Sequence, residues 1–182
     1  MKIFVLSDTH GKLNRVRDVW QKLTDVDLIA HAGDYYRDAK ALEEAFHVPV
    51  VAVRGNCDGG GRREFEIIET EYGNLLLTHG HGLSVAYSLD NLRYLAQEND
   101  CRAVIFGHTH EALVMEEDGM YFINPGSLSL PRDNSGGSYG IIRTTEDRLD
   151  ASIVYYDTLF RNNKKSGNSG FIKSILNYSD RL

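Results

Sequence analysis

Residues 2–10 of the chain read Lys2-Ile3-Phe4-Val5-Leu6-Ser7-Asp8-Thr9-His10. The apolar run from Ile3 to Leu6 favours a buried β-strand, and polar residues follow it directly. Asp8 and His10 are spaced by one, so on an extended backbone their side chains point to the same side and can reach one centre. This pattern predicts a strand with a polar site on the loop at its end.

The same pattern recurs four more times along the chain. Apolar runs that favour strands cover residues 28–32, 50–53, 74–78 and 103–106. The clusters that follow them are, in order, Gly33-Asp34, Gly55-Asn56-Cys57-Asp58, His79-Gly80-His81 and Gly107-His108-Thr109-His110. Because strand ends gather side chains from separate parts of a chain, the five clusters predict one shared site.

The spacing of apolar residues between these strands predicts the fold. Helical spacing is found in two segments, at Val16, Val19, Trp20 and Leu23 and at Ala39, Leu42 and Phe46, which predicts a β-α-β-α-β opening. A hairpin is predicted over residues 65–78, a helix around residues 92–96 and four short strands between residues 113 and 156. This order indicates an α/β (α+β) fold, a two-sheet β-sandwich flanked by helices.

The length of 182 residues fits a single domain over residues 1–182. The polar tail of the chain, from about residue 161, either docks on the domain through a short amphipathic helix or stays mobile. A net charge of −6 argues against an extended nucleic-acid surface. No apolar stretch is long enough to span a membrane and no leader pattern is present, so the sequence predicts a cytoplasmic protein with no membrane association. A homodimer remains open.

The residue types of the clusters indicate metal binding. Carboxylate, imidazole and amide groups form a mixed oxygen and nitrogen set, which suits Mn, Fe, Zn, Co or Ni better than Ca or Mg. Two metal ions need about eight ligand contacts, and a carboxylate between them can supply one to each. Asp34 is the best candidate for that bridging position.

With these five motifs in this order, the chain resembles the calcineurin-like metallophosphoesterases, over residues 1 to about 156. Within that family it is similar to the small bacterial and archaeal phosphodiesterases of the YfcE type, and the run from Asn124 to Ser127 is similar as well. The resemblance implies two divalent transition-metal ions, with Mn the leading expectation. One ion is expected at Asp8, His10, Asp34 and His110, and the other at Asp34, Asn56, His79 and His108. The implied reaction is hydrolysis of a small phosphodiester by metal-activated hydroxide.

One position departs from the common family pattern. Many members have a histidine where this chain has Cys57, and that histidine contacts the phosphate and can protonate the leaving group. A thiol is a weak hydrogen-bond donor, so we expect inefficient acid catalysis from Cys57, although the branch that this chain resembles tends to have cysteine there. His81 either contacts the substrate or is an inert loop residue. The catalytic candidates are therefore Asp34, Asn56, Cys57 and His81.

Several neighbouring residues have two interpretations each. Asp58 either orients a site residue or stabilises its own turn. The segment from Gly59 to Arg63 is a linking loop or a phosphate contact, and one ring of the Tyr35-Tyr36 pair packs against the protein or stacks on a substrate base. His31 is predicted to be a hydrogen-bonded core histidine, and the run from Asn124 to Ser127 is predicted to support the metal loops from behind.

Three other functions remain open alongside the phosphodiesterase. The same metal centre could serve a phosphomonoesterase or a nucleotide pyrophosphatase, with a different pocket. A non-catalytic scaffold is the alternative from another class, because the scaffold protein Vps29 resembles this branch. The complete set of seven metal-binding side chains favours catalysis, since a pure scaffold gains nothing from keeping them.

Overall fold

The computed structural model describes residues 1–59 and 64–160. The elements are β1 (Lys2–Leu6), α1 (Asn14–Trp20), β2 (Leu28–His31), α2 (Tyr36–Phe46), β3 (Val50–Ala52), β4 (Phe65–Thr70), β5 (Gly73–Thr78), a short 3₁₀ helix (His81–Leu83), α3 (Asp90–Glu98), β6 (Cys101–Ile105), β7 (Ala112–Glu117), β8 (Met120–Pro125), β9 (Ser138–Thr144), β10 (Leu149–Tyr155) and α4 (Tyr156–Phe160). The predicted tail helix and residues 60–63 of the predicted loop lie outside the described residues.

Within the described residues, the strands form two sheets of five. The first has the order β10-β9-β1-β2-β3, and the second has the order β4-β5-β6-β8-β7. Strands β1, β2 and β3 run parallel, as do β5, β6 and β8, while β4, β7, β9 and β10 are antiparallel to their neighbours. The predicted two-sheet sandwich is confirmed. Because parallel strands end at the same edge, the loops after β1, β2 and β3 emerge side by side.

Side chains alternate between the two faces of each central strand, so the buried apolar residues form three clusters. Ile3 and Val5 of β1 face the second sheet and pack in one cluster with Leu75 and Leu77 of β5. On the opposite side of β1, Phe4 and its neighbours pack against α1 and α2. A third cluster joins the outer face of the second sheet to α3. Helices thus pack on both outer faces of the sandwich.

Several element boundaries differ from the sequence prediction by one or more residues, and two of these differences involve helices. Helix α1 ends at Trp20, and Leu23, which shares its apolar spacing, lies in a turn where its amide donates to the Trp20 carbonyl at 3.1 Å. Leu23 still packs against the core beside α1, so the apolar pattern marked burial beyond the helix itself. Tyr156 was predicted at the end of the last strand, but it begins α4.

Among the described residues, no helix is both long and apolar enough to cross a membrane.

Candidate metal centre

Loops from both sheets meet at one edge of the sandwich. The amide of Asp8, after β1, donates to the Gly33 carbonyl after β2 at 3.0 Å. The amide of His108, after β6, donates to Asp8 Oδ2 at 3.1 Å and so ties the second sheet to the first. The loops that carry the predicted clusters therefore meet at one edge of the fold, as the sequence predicted.

Four of the predicted metal-binding residues form one compact group. Asp8, His10, Asp34 and His110 each offer a ligand atom, and these atoms lie within 4.8 Å of one another. The Nε2 atoms of His10 and His110 are 3.4 Å apart, and His110 Nε2 lies 3.2 Å from Asp8 Oδ1. The group has the composition that the family resemblance implies for one metal ion.

The other predicted ligands lie beside this group, around Asn56. Its Oδ1 atom is 3.1 Å from His79 Nε2 and 3.0 Å from His108 Nδ1. Asp34 stands between the two groups, with Oδ2 at 3.5 Å from His10 Nε2 and Oδ1 at 3.5 Å from His79 Nε2. The structure therefore brings all seven predicted residues together and turns the two oxygens of Asp34 toward opposite groups.

The buried polar atoms of the site fit a metal ion. Asp8 is fully buried, and its Oδ1 atom accepts no hydrogen bond among the described residues although His110 Nε2 is near. An orphaned buried carboxylate oxygen is costly unless a cation satisfies it. The mixed oxygen and nitrogen donor set suits a divalent transition metal.

Hydrogen bonds behind the site fix two of the imidazole rings. His79 Nδ1 lies 2.7 Å from the Ala32 carbonyl oxygen, and His110 Nδ1 lies 2.6 Å from the Leu130 carbonyl oxygen. A carbonyl oxygen only accepts, so each Nδ1 carries the proton and each Nε2 presents its lone pair to the site. This is the tautomer that a metal-binding histidine needs.

Asp8 and His110 each shift the pKa of the other. Burial alone would raise the pKa of Asp8, but contact with His110 and the Ser7 hydroxyl outweighs it, and the pKa falls below its usual value. Burial would lower the pKa of His110, yet the neighbouring Asp8 carboxylate raises it overall. Asp8 is therefore ionised at neutral pH, which is the form that binds a cation.

Five of the seven residues adopt the left-handed backbone conformation, with φ between 49° and 69°: Asp8, His10, Asp34, His108 and His110. Non-glycine residues adopt it uncommonly, although Asp and His are among those that tolerate it best. Such conformations cluster at functional sites, where the surrounding structure enforces them. All five lie in the loops that follow β1, β2 and β6. No pattern in the sequence predicted this backbone conformation.

Gly33 and Gly55 are two of the motif glycines at which any side chain would collide with the site. A Cβ atom at Gly33 would stand 2.6 Å from His79 Nδ1, and one at Gly55 would stand 2.0 Å from Asp34 Oδ1. Both distances are far shorter than real carbon contacts. The glycines of the Gly-Asp and Gly-Asn motifs thus let the site loops approach one another.

The two remaining catalytic candidates border the Asn56 group. The amide of Cys57 donates to Asp34 Oδ1 at 2.9 Å, while partial desolvation and the Asp34 carboxylate raise the pKa of its thiol to about 11. The His81 ring centroid lies 5.4 Å from that of His79 and 6.3 Å from that of His108. Burial and the nearby His79 lower the pKa of His81, which favours the neutral ring.

A buried hydrogen-bond chain behind the site was only partly foreseen. Gly33 N–H donates to His31 Nδ1 at 3.3 Å, and His31 Nε2 lies 3.0 Å from Thr9 Oγ1. Thr9 donates in turn to Asp38 Oδ2 at 2.7 Å, and the same oxygen accepts the Gly11 amide. His31 is hydrogen-bonded in the core, as predicted. Sequence reasoning missed Thr9 and Asp38, although their place within and after two motifs was a usable signal.

Removing the Thr9 hydroxyl should therefore weaken both the fold and the site. In Thr9→Val the buried Asp38 carboxylate and His31 each lose a hydrogen bond, so we expect the free energy of unfolding to fall by about 2–3 kcal/mol. Metal affinity should fall about tenfold or more, because the Asp8 and His10 loop loses its support. Denaturant unfolding and metal titration measure the two effects. Thr24→Val, at an exposed threonine, is the control; equal behaviour of the two variants would contradict this role.

Three other positions that were interpreted from the sequence have clear contacts in the structure. Asn124 donates to the Gly107 carbonyl and to Thr109, both at 3.0 Å, and Ser127 donates to the Asp8 carbonyl at 2.9 Å. The run from Asn124 to Ser127 thus supports the metal loops from behind, as predicted. Asp58 accepts the amides of Gly55 and Tyr36, so it stabilises its own turn and ties that turn to α2. The Tyr35 ring packs edge-on against His10, with centroids 5.4 Å apart.

Comparison with known families agrees with this site. Residues 1–147 match the model of the calcineurin-like phosphoesterase superfamily domain, and the chain belongs to that family. It is 34% identical to the probable metallophosphoesterase YsnB of Bacillus subtilis over 161 residues, covering 86% of this chain and 91% of that protein. It is 29% identical to the phosphodiesterase YfcE of Escherichia coli over 167 residues, covering 78% and 87%.

Solved structures show the same fold. The crystal structure of a predicted phosphoesterase from Streptococcus pneumoniae is similar with a TM-score of 0.73 and 29% identity, covering 86% of this chain and 90% of that one. The zinc complex of Vps29 from Entamoeba histolytica has a TM-score of 0.68 at 18% identity, covering 86% and 99%. The latter likeness concerns the fold alone.

Proposed function

We propose that this protein is a phosphodiesterase with a dinuclear metal centre, acting in the cytoplasm on a small phosphodiester. The orientation of Asp34 supports the dinuclear centre best. One carboxylate oxygen faces His10 and the other faces His79, so a single side chain is placed to serve two ions. Membership in the phosphoesterase family and the similarity to YfcE support the reaction.

Two sets of residues would hold the ions. Asp8, His10, Asp34 and His110 would bind one, and Asp34, Asn56, His79 and His108 would bind the other. When bound, such ions supply a hydroxide at neutral pH and neutralise charge on the phosphate. Mn is our leading choice, with Zn, Fe, Co and Ni as alternatives.

The protein's own groups complete the chemistry. The Cys57 amide donates to Asp34 Oδ1 and holds that carboxylate in place. The His81 ring is neutral and its Nδ1 atom is buried without a hydrogen-bond partner among the described residues, so Nε2 is the ring nitrogen that can contact the substrate or accept a proton. The thiol of Cys57 stays protonated at neutral pH and is a candidate donor to the leaving group.

The test is hydrolysis by metal-stripped protein after addition of Mn, Zn, Ni or Mg. An aryl phosphodiester and the matching monoester are compared at equal concentration. Restoration of diester turnover by a transition metal, at a rate well above that for the monoester, supports the proposal. A preference for the monoester would instead indicate the phosphomonoesterase.

Replacing Cys57 by His should accelerate turnover of poor leaving groups. Imidazole is a better proton donor than a thiol whose pKa is about 11, and general acid catalysis contributes about 10²-fold or more when it is efficient. We expect Cys57→His to raise kcat for an alkyl diester about tenfold and to leave a p-nitrophenyl diester, which needs no proton, nearly unchanged. Cys57→Ser is the matched control. Unchanged kcat for the alkyl diester would count against leaving-group protonation at this position.

A Vps29-like scaffold remains the second candidate. The zinc complex of Vps29 has the same fold, so metal binding alone does not separate the two functions. Turnover does. If metal-loaded protein hydrolyses none of the three substrate types, a diester, a monoester and a nucleotide pyrophosphate, the result favours the scaffold function.

A further inference from the structure

A cavity of about 510 Å³ opens directly beside the metal centre. His108 and Thr109 form one of its walls, so it is continuous with the group around Asn56. Its volume lies within the range of roughly 300–1,000 Å³ that is usual for small-molecule sites. An ester group on a phosphate held at the centre would have room to extend into this space.

The floor of the cavity is apolar. Val85 and Phe106 are 7% and 2% exposed, and Leu89 and Leu113 complete the floor. Tyr87 stands at the rim with 93% of its surface exposed. Among the residues that the structure describes, its ring has no aromatic or hydrogen-bonding partner. An exposed aromatic ring over an apolar floor suits a planar apolar group.

Two side chains of opposite charge, Arg132 and Glu111, line the cavity. The Arg132 amide donates to the His110 carbonyl at 3.1 Å, which places Arg132 at the end nearest the metal centre. In the described part of the chain its guanidinium has no ion pair, so it is available to a phosphate oxygen. Glu111 lines the same cavity and is likewise unpaired there. Its carboxylate repels a second anion but accepts hydrogen bonds from hydroxyl or amino groups.

We propose that this cavity binds the organic group of the substrate, and that this group is a nucleoside. The base would lie on the apolar floor against Tyr87, sugar hydroxyl or base amino groups would donate to Glu111, and Arg132 would contact the phosphate. The proposal extends the proposed function, on which it rests, by naming the substrate class. Glycerol or methyl phosphodiesters would leave the floor unfilled.

The test is calorimetric titration of Mn-loaded protein with two ligands that the enzyme does not hydrolyse. One is a nucleoside phosphonate, adenosine with a 5′-methylenephosphonate group, and the other is methylphosphonate. We expect the nucleoside phosphonate to bind at least about tenfold more tightly, because stacking of a base on an aromatic ring contributes that much. Tyr87→Ala should remove most of this difference. Arg132→Gln should weaken both ligands by a similar factor.

Tyr94→Ala is the matched control, because Tyr94 on α3 is also exposed but does not line the cavity. It should keep the wild-type ratio of affinities. Equal affinities of the two phosphonates, an unchanged ratio in Tyr87→Ala, or no binding of either ligand would overturn the proposal. The titration measures no turnover. Tight binding of the nucleoside phosphonate by a protein that hydrolyses no ester would therefore contradict the proposed function and still support the cavity assignment.

Discussion

Replacing Asp34 by Asn is expected to abolish metal-dependent hydrolysis, with kcat/KM falling about a thousandfold or more. The substitution keeps the shape of the side chain but removes the charge that faces both His10 and His79. Loss of the bridging carboxylate removes several kcal/mol of metal and transition-state stabilisation, and each 1.4 kcal/mol corresponds to a factor of ten in rate. The measurement is diester turnover together with metal content.

The control for this prediction is Asp147→Asn. Asp147 is exposed in the turn between β9 and β10, and the nearby Thr144 amide donates to the Met1 carbonyl at the opposite end of β1 from Asp8. The control should retain wild-type activity and metal content. If Asp34→Asn folds normally, binds two metal ions and keeps more than about a tenth of the wild-type activity, the bridging role is wrong.

Gly55→Ala is expected to destabilise the site strongly, because the added methyl group collides with the Asp34 loop. The added Cβ would stand 2.0 Å from Asp34 Oδ1 and 2.3 Å from the Asp34 backbone nitrogen. Because one of these atoms belongs to the backbone, a rotation of the side chain cannot relieve the collision, and the two loops must separate. We expect the free energy of unfolding to fall by about 2–4 kcal/mol and metal affinity to fall with it. Denaturant unfolding and metal titration measure both.

Gly82→Ala provides the comparison. Among the residues that the structure describes, a Cβ atom at Gly82 meets nothing within 4 Å, although this glycine also belongs to a loop close to the site. Its stability should stay within about 0.5 kcal/mol of the wild type. A Gly55→Ala protein as stable as Gly82→Ala, with unchanged metal affinity, would show that the loops tolerate the separation and that close contact at Gly55 is not required.

The sequence predicted most of the fold because the relevant signals are local. Apolar runs and helical spacing located each of the first three strands and the helices between them, and the structure confirms their order and the two-sheet sandwich. Boundaries were less predictable. Leu23 has the spacing of α1 yet lies beyond its end, because apolar spacing reports which residues are buried and does not report where a helix stops.

The candidate ligands were also predictable, since their residue types and their positions after strands are local features. Their assignment to individual metal ions remains a prediction, but the structure places all seven side chains together. It also separates their surroundings into two groups with Asp34 between them. Residues that support the ligands were harder to find. Thr9, His31 and Asp38 are connected only because β1, β2 and α2 pack side by side.

The sequence by itself determined which elements form and which side chains can bind a metal, because periodicity and ligand chemistry are properties of short segments. Only the tertiary structure decided how those side chains are presented. The left-handed conformations at Asp8, Asp34 and His108 lie in loops that contact one another although they are far apart in the chain. The cavity beside His108 likewise exists only where the end of β6 meets the segment before α3 and the start of β7. Long-range packing creates both, so no local pattern could contain them.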